Sequence, residues 1–149
     1  MLDNTDKKVL KILQKNAKIS MKDLSNLINM SQPATSERVR KLEKNGYIDG
    51  YTIRLNKKKF NKNFVCFCLI ILKVNDGAGD EQFRRYTNSC EEIQGCYCIA
   101  GPYEYIIKVV TESPAALETF LVRLRKKFES KSYTYPVLST IKEDGHLNI

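Results

Sequence analysis

Between Ile19 and Gly50 the chain reads ISMKDLSNLINMSQPATSERVRKLEKNGYIDG, and no other stretch constrains the fold as tightly. Ser20 with Asp23 makes an S-x-x-D capping pattern, and Leu24, Leu27 and Ile28 behind it give a first helix an apolar face. That helix must end by Asn29-Met30. Ser31 is then placed to cap a second helix with Pro33 in its first turn, where a missing N–H costs nothing. Val39 and Leu42 recur at helical spacing on its inner side, and Gly46 after Asn45 supplies a left-handed exit. Two capped helices joined by so tight a turn have the layout of a helix-turn-helix, which sets its second helix in the DNA major groove.

Charge is distributed to match. Residues 1–63 hold 15 Lys and Arg against 6 Asp and Glu, whereas residues 64–149 hold 10 against 11, so the whole basic excess of the +8 chain lies with the bihelical segment. A basic surface confined to one module is what phosphate neutralisation and counterion release require. The charge break also suggests two domains, 1–63 and 64–149, in a chain of 149 residues.

Other classes find less support. The start, MLDNTDKK, is polar with no apolar run behind it, and the longest apolar run, Phe64 to Leu72, is too short to cross a bilayer as a helix. A soluble cytoplasmic protein is expected. The 5 cysteines are odd in number and include no C-x-x-C; Cys66/Cys68 and Cys96/Cys98 sit two apart within strand-like runs and read as buried reduced thiols. His146 is the only histidine, so no histidine-based triad or multi-histidine metal site can form within one subunit. With no P-loop, H-E-x-x-H or G-x-S-x-G, no catalytic residue, cofactor or metal is assigned, and the protein is not expected to be an enzyme.

An opening helix is expected from Asp3 to Asn16, with Val9, Ile12 and Leu13 on one face to complete a three-helix core. Tyr47 to Leu55 alternates enough to predict a short strand, and NKKKFNKN from Asn56 to Asn63 is a basic connector. Beyond it the pattern predicts a strand over Phe64–Val74, a helix over Asp80–Cys90, strands over Gln94–Ala100 and Glu104–Val110, a helix over Ser113–Lys127 and a last strand over Tyr133–Lys142. Ser113-Pro114 is a cap followed by proline at the first helical position. The fold class is therefore α+β, an N-terminal winged helix-turn-helix joined to a C-terminal βαββαβ ferredoxin-like domain. In the first strand both alternating sets are apolar, Phe64, Cys66, Cys68, Ile70 and Leu72 against Val65, Phe67, Leu69 and Ile71. Two helices cover one sheet face, so the other is expected to meet a second subunit in a homodimer.

Several runs carry a family resemblance. Leu2-Asp3-x-x-Asp6-x-x-Val9-Leu10-x-x-Leu13-Gln14-x-Asn16-x-x-Ile19-Ser20, then Arg38-Val39-Arg40-Lys41-Leu42-Glu43-x-x-Gly46-x-Ile48-x-Gly50-Tyr51, and Gly101-x-x-Glu104-Tyr105 are similar to motifs of the Lrp/AsnC, or feast/famine, transcription regulators. The resemblance spans essentially the whole chain. It implies a regulator of double-stranded DNA modulated by an amino-acid effector bound between dimers near residues 101–105, with four dimers forming an octamer. Ser25 and Asn29 stand where the family has Ala and Gly, Glu104 replaces its aspartate, Ala100 its threonine, and Glu129-Ser130-Lys131 its Pro-Gly-Val.

With Val39 and Leu42 turned inward, Pro33, Glu37, Arg40 and Lys44 lie opposite, and Gln32 and Ser36 lie near the groove-facing N-terminal edge beside the cap Ser31. Gln32, Ser36 and Arg40 are the base-reading candidates, since Gln pairs adenine and Arg forks onto guanine. Arg38, Lys41, Lys22 and Lys57 to Lys59 suit phosphates. Gly101, Tyr103, Glu104 and Tyr105 form the candidate effector loop, with Glu104 suited to an ammonium and backbone N–H groups to a carboxylate. The alternative to a dedicated regulator is a sequence-tolerant nucleoid protein that wraps or bridges DNA without an effector.

Overall fold

Each helix of the N-terminal part begins where a side chain takes backbone N–H groups that the helix itself leaves unpaired. In the computed structural model, which describes residues 1–73 and 77–149 apart from the Lys58 side chain, α1 (Asn4–Lys15) starts on Asp3. The Asp3 carboxylate accepts the Asp6 N–H while Asp6 accepts the Asp3 N–H, a reciprocal capping box. Helix α2 (Met21–Ile28) starts on Ser20, whose Oγ accepts the Asp23 N–H at 3.0 Å and whose hydroxyl donates to the Asp23 carboxylate at 2.6 Å. Asn29, with φ 56°, ends it in the left-handed region. Helix α3 (Gln32–Lys44) starts on Ser31 with Pro33 in its first turn. It stops at Gly46, φ +72°, where the Gly46 N–H donates to Glu43 O and the Tyr47 N–H to Leu42 O, the paired bonds of a Schellman motif.

The three helices enclose Val9, Leu10, Leu13, Leu24, Ile28, Val39 and Leu42. Leu27 does not join them. Around α2 the inward arc is centred between Leu24, Ile28 and the buried Ser25, which leaves Leu27 on the outer shoulder at 52 % exposure. Ser25 is tolerated inside because its hydroxyl donates to Lys22 O, as does that of the fully buried Thr35 to Ser31 O. Lys142–Ile149 belongs to this first compact unit, with Met1–Arg54. Its Leu147 backbone exchanges two hydrogen bonds with the Gln14 side chain, and Ile149 packs on the helical core. The units part between Arg54 and Leu55, ahead of the charge break at residue 63.

The strand expected over Tyr47–Leu55 does not form. Alternation alone is not a strand: the segment needs a hydrogen-bonding neighbour, and among the described residues none pairs with it, so Tyr51, Ile53 and Leu55 stand exposed. The segment is thus irregular here rather than a strand.

The second unit, Leu55–Ile141, opens with a 3-10 turn at Lys57–Phe60. It then runs β1 (Phe64–Ile71), α4 (Gly77–Ser89), β2 (Ile93–Cys98), β3 (Tyr105–Thr111), α5 (Pro114–Phe128) and β4 (Lys131–Pro136). The strands form an antiparallel sheet in the order β2-β3-β1-β4, the βαββαβ arrangement expected. β1 ends before the anticipated Val74, which lies outside the described residues. β4 is offset toward the N-terminus from the Tyr133–Lys142 expectation; β1 supplies its partners from Lys131 to Pro136, and proline then removes a donor. Helix α5 takes its Ser113-Pro114 start as read.

Cys66, Cys68, Ile70 and Leu72 face α4 and α5 and are buried with Phe83, Ile107, Val109, Leu117, Phe120 and Leu124. Burial pushes the Cys68 thiol up to about 11. The cysteine expectation is corrected at β2: Cys96 is half-buried and Cys98 exposed, because the strand lies at the sheet edge. On the opposite face Val65, Phe67, Leu69 and Ile71 are half-buried, and Tyr97, Tyr133 and Tyr135 are 58, 47 and 53 % exposed. Register sets Phe67 between Lys108 and Tyr135, and Leu69 between Ile106 and Tyr133, so an aromatic and aliphatic surface runs across the sheet. Among the described residues no helix is long and apolar enough to cross a membrane.

Candidate nucleic-acid interface and effector loop

Helix α3 is anchored along one side and open along the other. Thr35, Val39 and Leu42 are buried, and Ser31, Gln32, Ser36, Glu37, Arg40 and Lys41 are exposed. Lys22 of α2 is exposed as well. Gln32 and Ser36 thus present polar groups on the N-terminal half of a helix whose outward side is fixed by its core face, as groove reading requires.

Two of the expected contacts behave differently. Arg38 does not project toward solvent. Its Nη1 donates to Asp3 Oδ2 at 2.6 Å and to Asp6 Oδ1 at 2.5 Å, with its side chain only 26 % exposed. The same two carboxylates that cap α1 therefore hold α3, and Arg38 ties the two helices together. The Asp6 N–H first, and then the Arg38 guanidinium, hold the Asp3 carboxyl below its ordinary range. Sequence inspection missed this tie because its partners lie 32 and 35 positions away.

Arg40 is exposed but engaged. Its Nε and Nη2 donate to the two carboxylate oxygens of Glu37 at 2.8 and 2.7 Å, a fork-on-carboxylate pair one helical turn long. Lys41 stands 3.9 Å from the same carboxylate. Arg40, by hydrogen bond and charge, holds the Glu37 carboxyl below its usual range. Glu43 lies apart, accepting the Tyr51 hydroxyl at 2.7 Å. Of the connector lysines, Lys57 and Lys59 fall in the 3-10 turn, and the Lys58 side chain lies outside the described residues.

In the second unit the residues of the candidate effector loop separate by strand parity. Gly101 adopts φ +130°, a conformation that favours glycine, at the tip of the β2–β3 connection. Tyr103 is half-buried with its ring edge-on to Tyr133, centroids 5.4 Å apart. Glu104 turns inward, its Oε2 accepting the Leu72 N–H at 2.6 Å while its own N–H donates to Ile70 O. Glu104 therefore ties the loop to the end of β1. Tyr105 is buried on the helix side and donates its hydroxyl to Asp80 of α4, which also accepts from Arg84 at 2.7 Å. Gly101, Tyr103 and Glu104 come together at the loop, and Tyr105 supports it from below.

A three-helix unit whose third helix keeps an open polar face, followed in the chain by a βαββαβ unit, is the layout of a DNA-binding regulator that carries a separate ligand domain. Comparison with known proteins agrees: residues 2–49 match the family described as Winged helix-turn-helix DNA-binding, and residues 65–147 match the Lrp/AsnC ligand binding domain. The chain is 35 % identical to the leucine-responsive regulatory protein of Escherichia coli strain K12 over 99 % of its own length and 92 % of that protein's. Among solved structures it is similar to LrpC of Bacillus subtilis, with TM-score 0.85, 32 % identity, and 95 and 98 % of the two chains covered. A Neisseria meningitidis transcriptional regulator solved with L-methionine shares its fold at TM-score 0.94 and 22 % identity over 99 and 97 % of the two chains. The chain belongs to the Lrp/AsnC family of transcriptional regulators.

Proposed function

We propose that the protein reads a roughly palindromic duplex as a two-fold dimer in the cytoplasm, and that an amino acid bound at its second domain adjusts that reading. The observation that carries the first part is the open face of α3, where Gln32, Ser36 and Arg40 stand exposed on a helix otherwise locked into its core. Lys22 and Lys41 supply phosphate contacts beside them, and Ser31 and Glu37 border the face. We keep the division of labour that the charge suggests, residues 1–63 for DNA and 64–149 for effector and assembly, with residues 142–149 bracing the DNA-binding unit. No catalytic step is assigned to the chain.

Dimerisation is inferred from the uncovered sheet face, where Phe67, Leu69, Tyr97, Tyr133 and Tyr135 form an apolar surface of a kind that monomers rarely expose. Four such dimers in a ring are the higher assembly that the family resemblance implies. For the effector, an amino acid is favoured by the relative named as leucine-responsive and by the loop itself, where the exposed, positive-φ Gly101 stands near Tyr103 and Glu104 in the chain.

The test is a binding-site selection on genomic fragments with the full chain, run with and without a mixture of the common amino acids. Enrichment of a short inverted repeat whose recovery changes with the mixture is the expected result. Uniform recovery of all fragments would move the protein to the sequence-tolerant architectural class.

A further inference from the structure

Glu37 is an oddity on its surface. Along the outward row Pro33, Ser36, Glu37, Arg40 and Lys44 it is the sole acid, placed on a face that must approach a polyanion. Its two oxygens take two N–H donors of Arg40, with Lys41 close by. Taking α3 as the DNA-reading helix, we propose that Glu37 is a specificity-determining residue, a filter that withholds the Arg40 fork from phosphate and yields it to a guanine edge.

The reasoning is one of competition for the same donors. A carboxylate, a phosphate and the O6/N7 edge of guanine each offer two acceptors to the fork of one guanidinium. A phosphate that displaces Glu37 gains no better geometry than the carboxylate it replaces, and it brings a second negative charge against the carboxylate left behind. Guanine brings no net charge, so the exchange lacks that repulsion. The pair is solvent-exposed, 60 and 46 % for the two side chains, so it opens at small cost where a base is in register. An unguarded Arg40 would instead add one more sequence-independent cation to a unit already rich in them.

Full-length wild type, Glu37→Gln, Glu43→Gln and Glu37→Gln/Arg40→Ala are titrated against the selected operator duplex and a random duplex of equal length, across a salt series. Glu43→Gln removes the same charge from the same helix without taking a hydrogen-bond partner from Arg40, since Glu43 accepts from the Tyr51 hydroxyl. The expected result is that Glu37→Gln tightens random-duplex binding on the order of two- to fivefold, steepens its log-log salt slope by up to about 0.9, and lowers the operator-to-random ratio. Glu43→Gln moves these less, and adding Arg40→Ala abolishes the gain. Equal effects of Glu37→Gln and Glu43→Gln would reduce the role to net charge and overturn the proposal. Loss of operator affinity with random binding unchanged would make Glu37 a direct base contact and also overturn it. A wild type that does not prefer its selected duplex at all would instead defeat the reading of α3 on which the proposal rests.

Discussion

Arg38 carries the charge of a phosphate contact and the surroundings of a structural tie, and mutation separates the two. Replacing it with Ala leaves the part-buried Asp6 carboxylate without its cationic partner and removes the tie between α3 and the α1 cap. We expect Arg38→Ala to lower stability by about 1 kcal/mol in denaturant unfolding, while the salt slope of random-duplex binding stays unchanged. A slope reduced by about one contact would instead make it a phosphate ligand. The pH dependence has a defined sign. Asp3 has a folded pKa lowered first by the Asp6 N–H and then by Arg38, so its contribution is present at neutral pH and lost as pH falls through that lowered value. The wild-type and Arg38→Ala stabilities should accordingly converge as pH drops below the ordinary 3.8, and should not converge on raising it from 7 to 9. At the loop, Glu104→Gln gives up a charge-assisted bond to the Leu72 N–H. Calorimetry with single amino acids should show weaker binding of the effector, with operator binding in its absence nearly unchanged.

At the level of elements, α3 is defined by its two ends. Gly46 sits at φ +72°, so Gly46→Ala should cost about 1 kcal/mol through backbone strain alone, read as a lower unfolding midpoint with unchanged slope. Gly50→Ala, with no positive φ and open space around the added methyl, should be nearly neutral. The same distinction explains what the sequence disclosed. Helix ends at Ser20, Ser31, Gly46 and Ser113-Pro114 were legible because a cap and its N–H or carbonyl partners lie within a few residues. The segment from Tyr47 to Leu55 was misread because a strand depends on a neighbour that alternation does not reveal, and β4 slipped because its limits are set by β1. The site divides likewise. The exposure of Gln32, Ser36 and Arg40 follows from helical periodicity, whereas the commitment of Arg38 to Asp3 and Asp6 and of Tyr105 to Asp80 needs contacts far apart in the chain.

The whole molecule joins a basic DNA-binding unit to a sheet whose outer face is left uncovered within one chain. A charge set into that face, as in Tyr135→Glu, should leave the helix-covered core intact and shift sedimentation at micromolar concentration toward the monomer. Operator affinity should fall with it, since one recognition helix then reads one half-site. Central to the account is that the open face of α3 reads sequence. It is tested most directly by the operator-to-random affinity ratio at one fixed salt concentration, for wild type and Arg40→Ala. A dedicated regulator should show a wild-type ratio of about 1,000 or more, and Arg40→Ala should remove about 1–3 kcal/mol of operator binding while lowering random binding much less. A wild-type ratio near one, or equal losses on both duplexes in the variant, would contradict it.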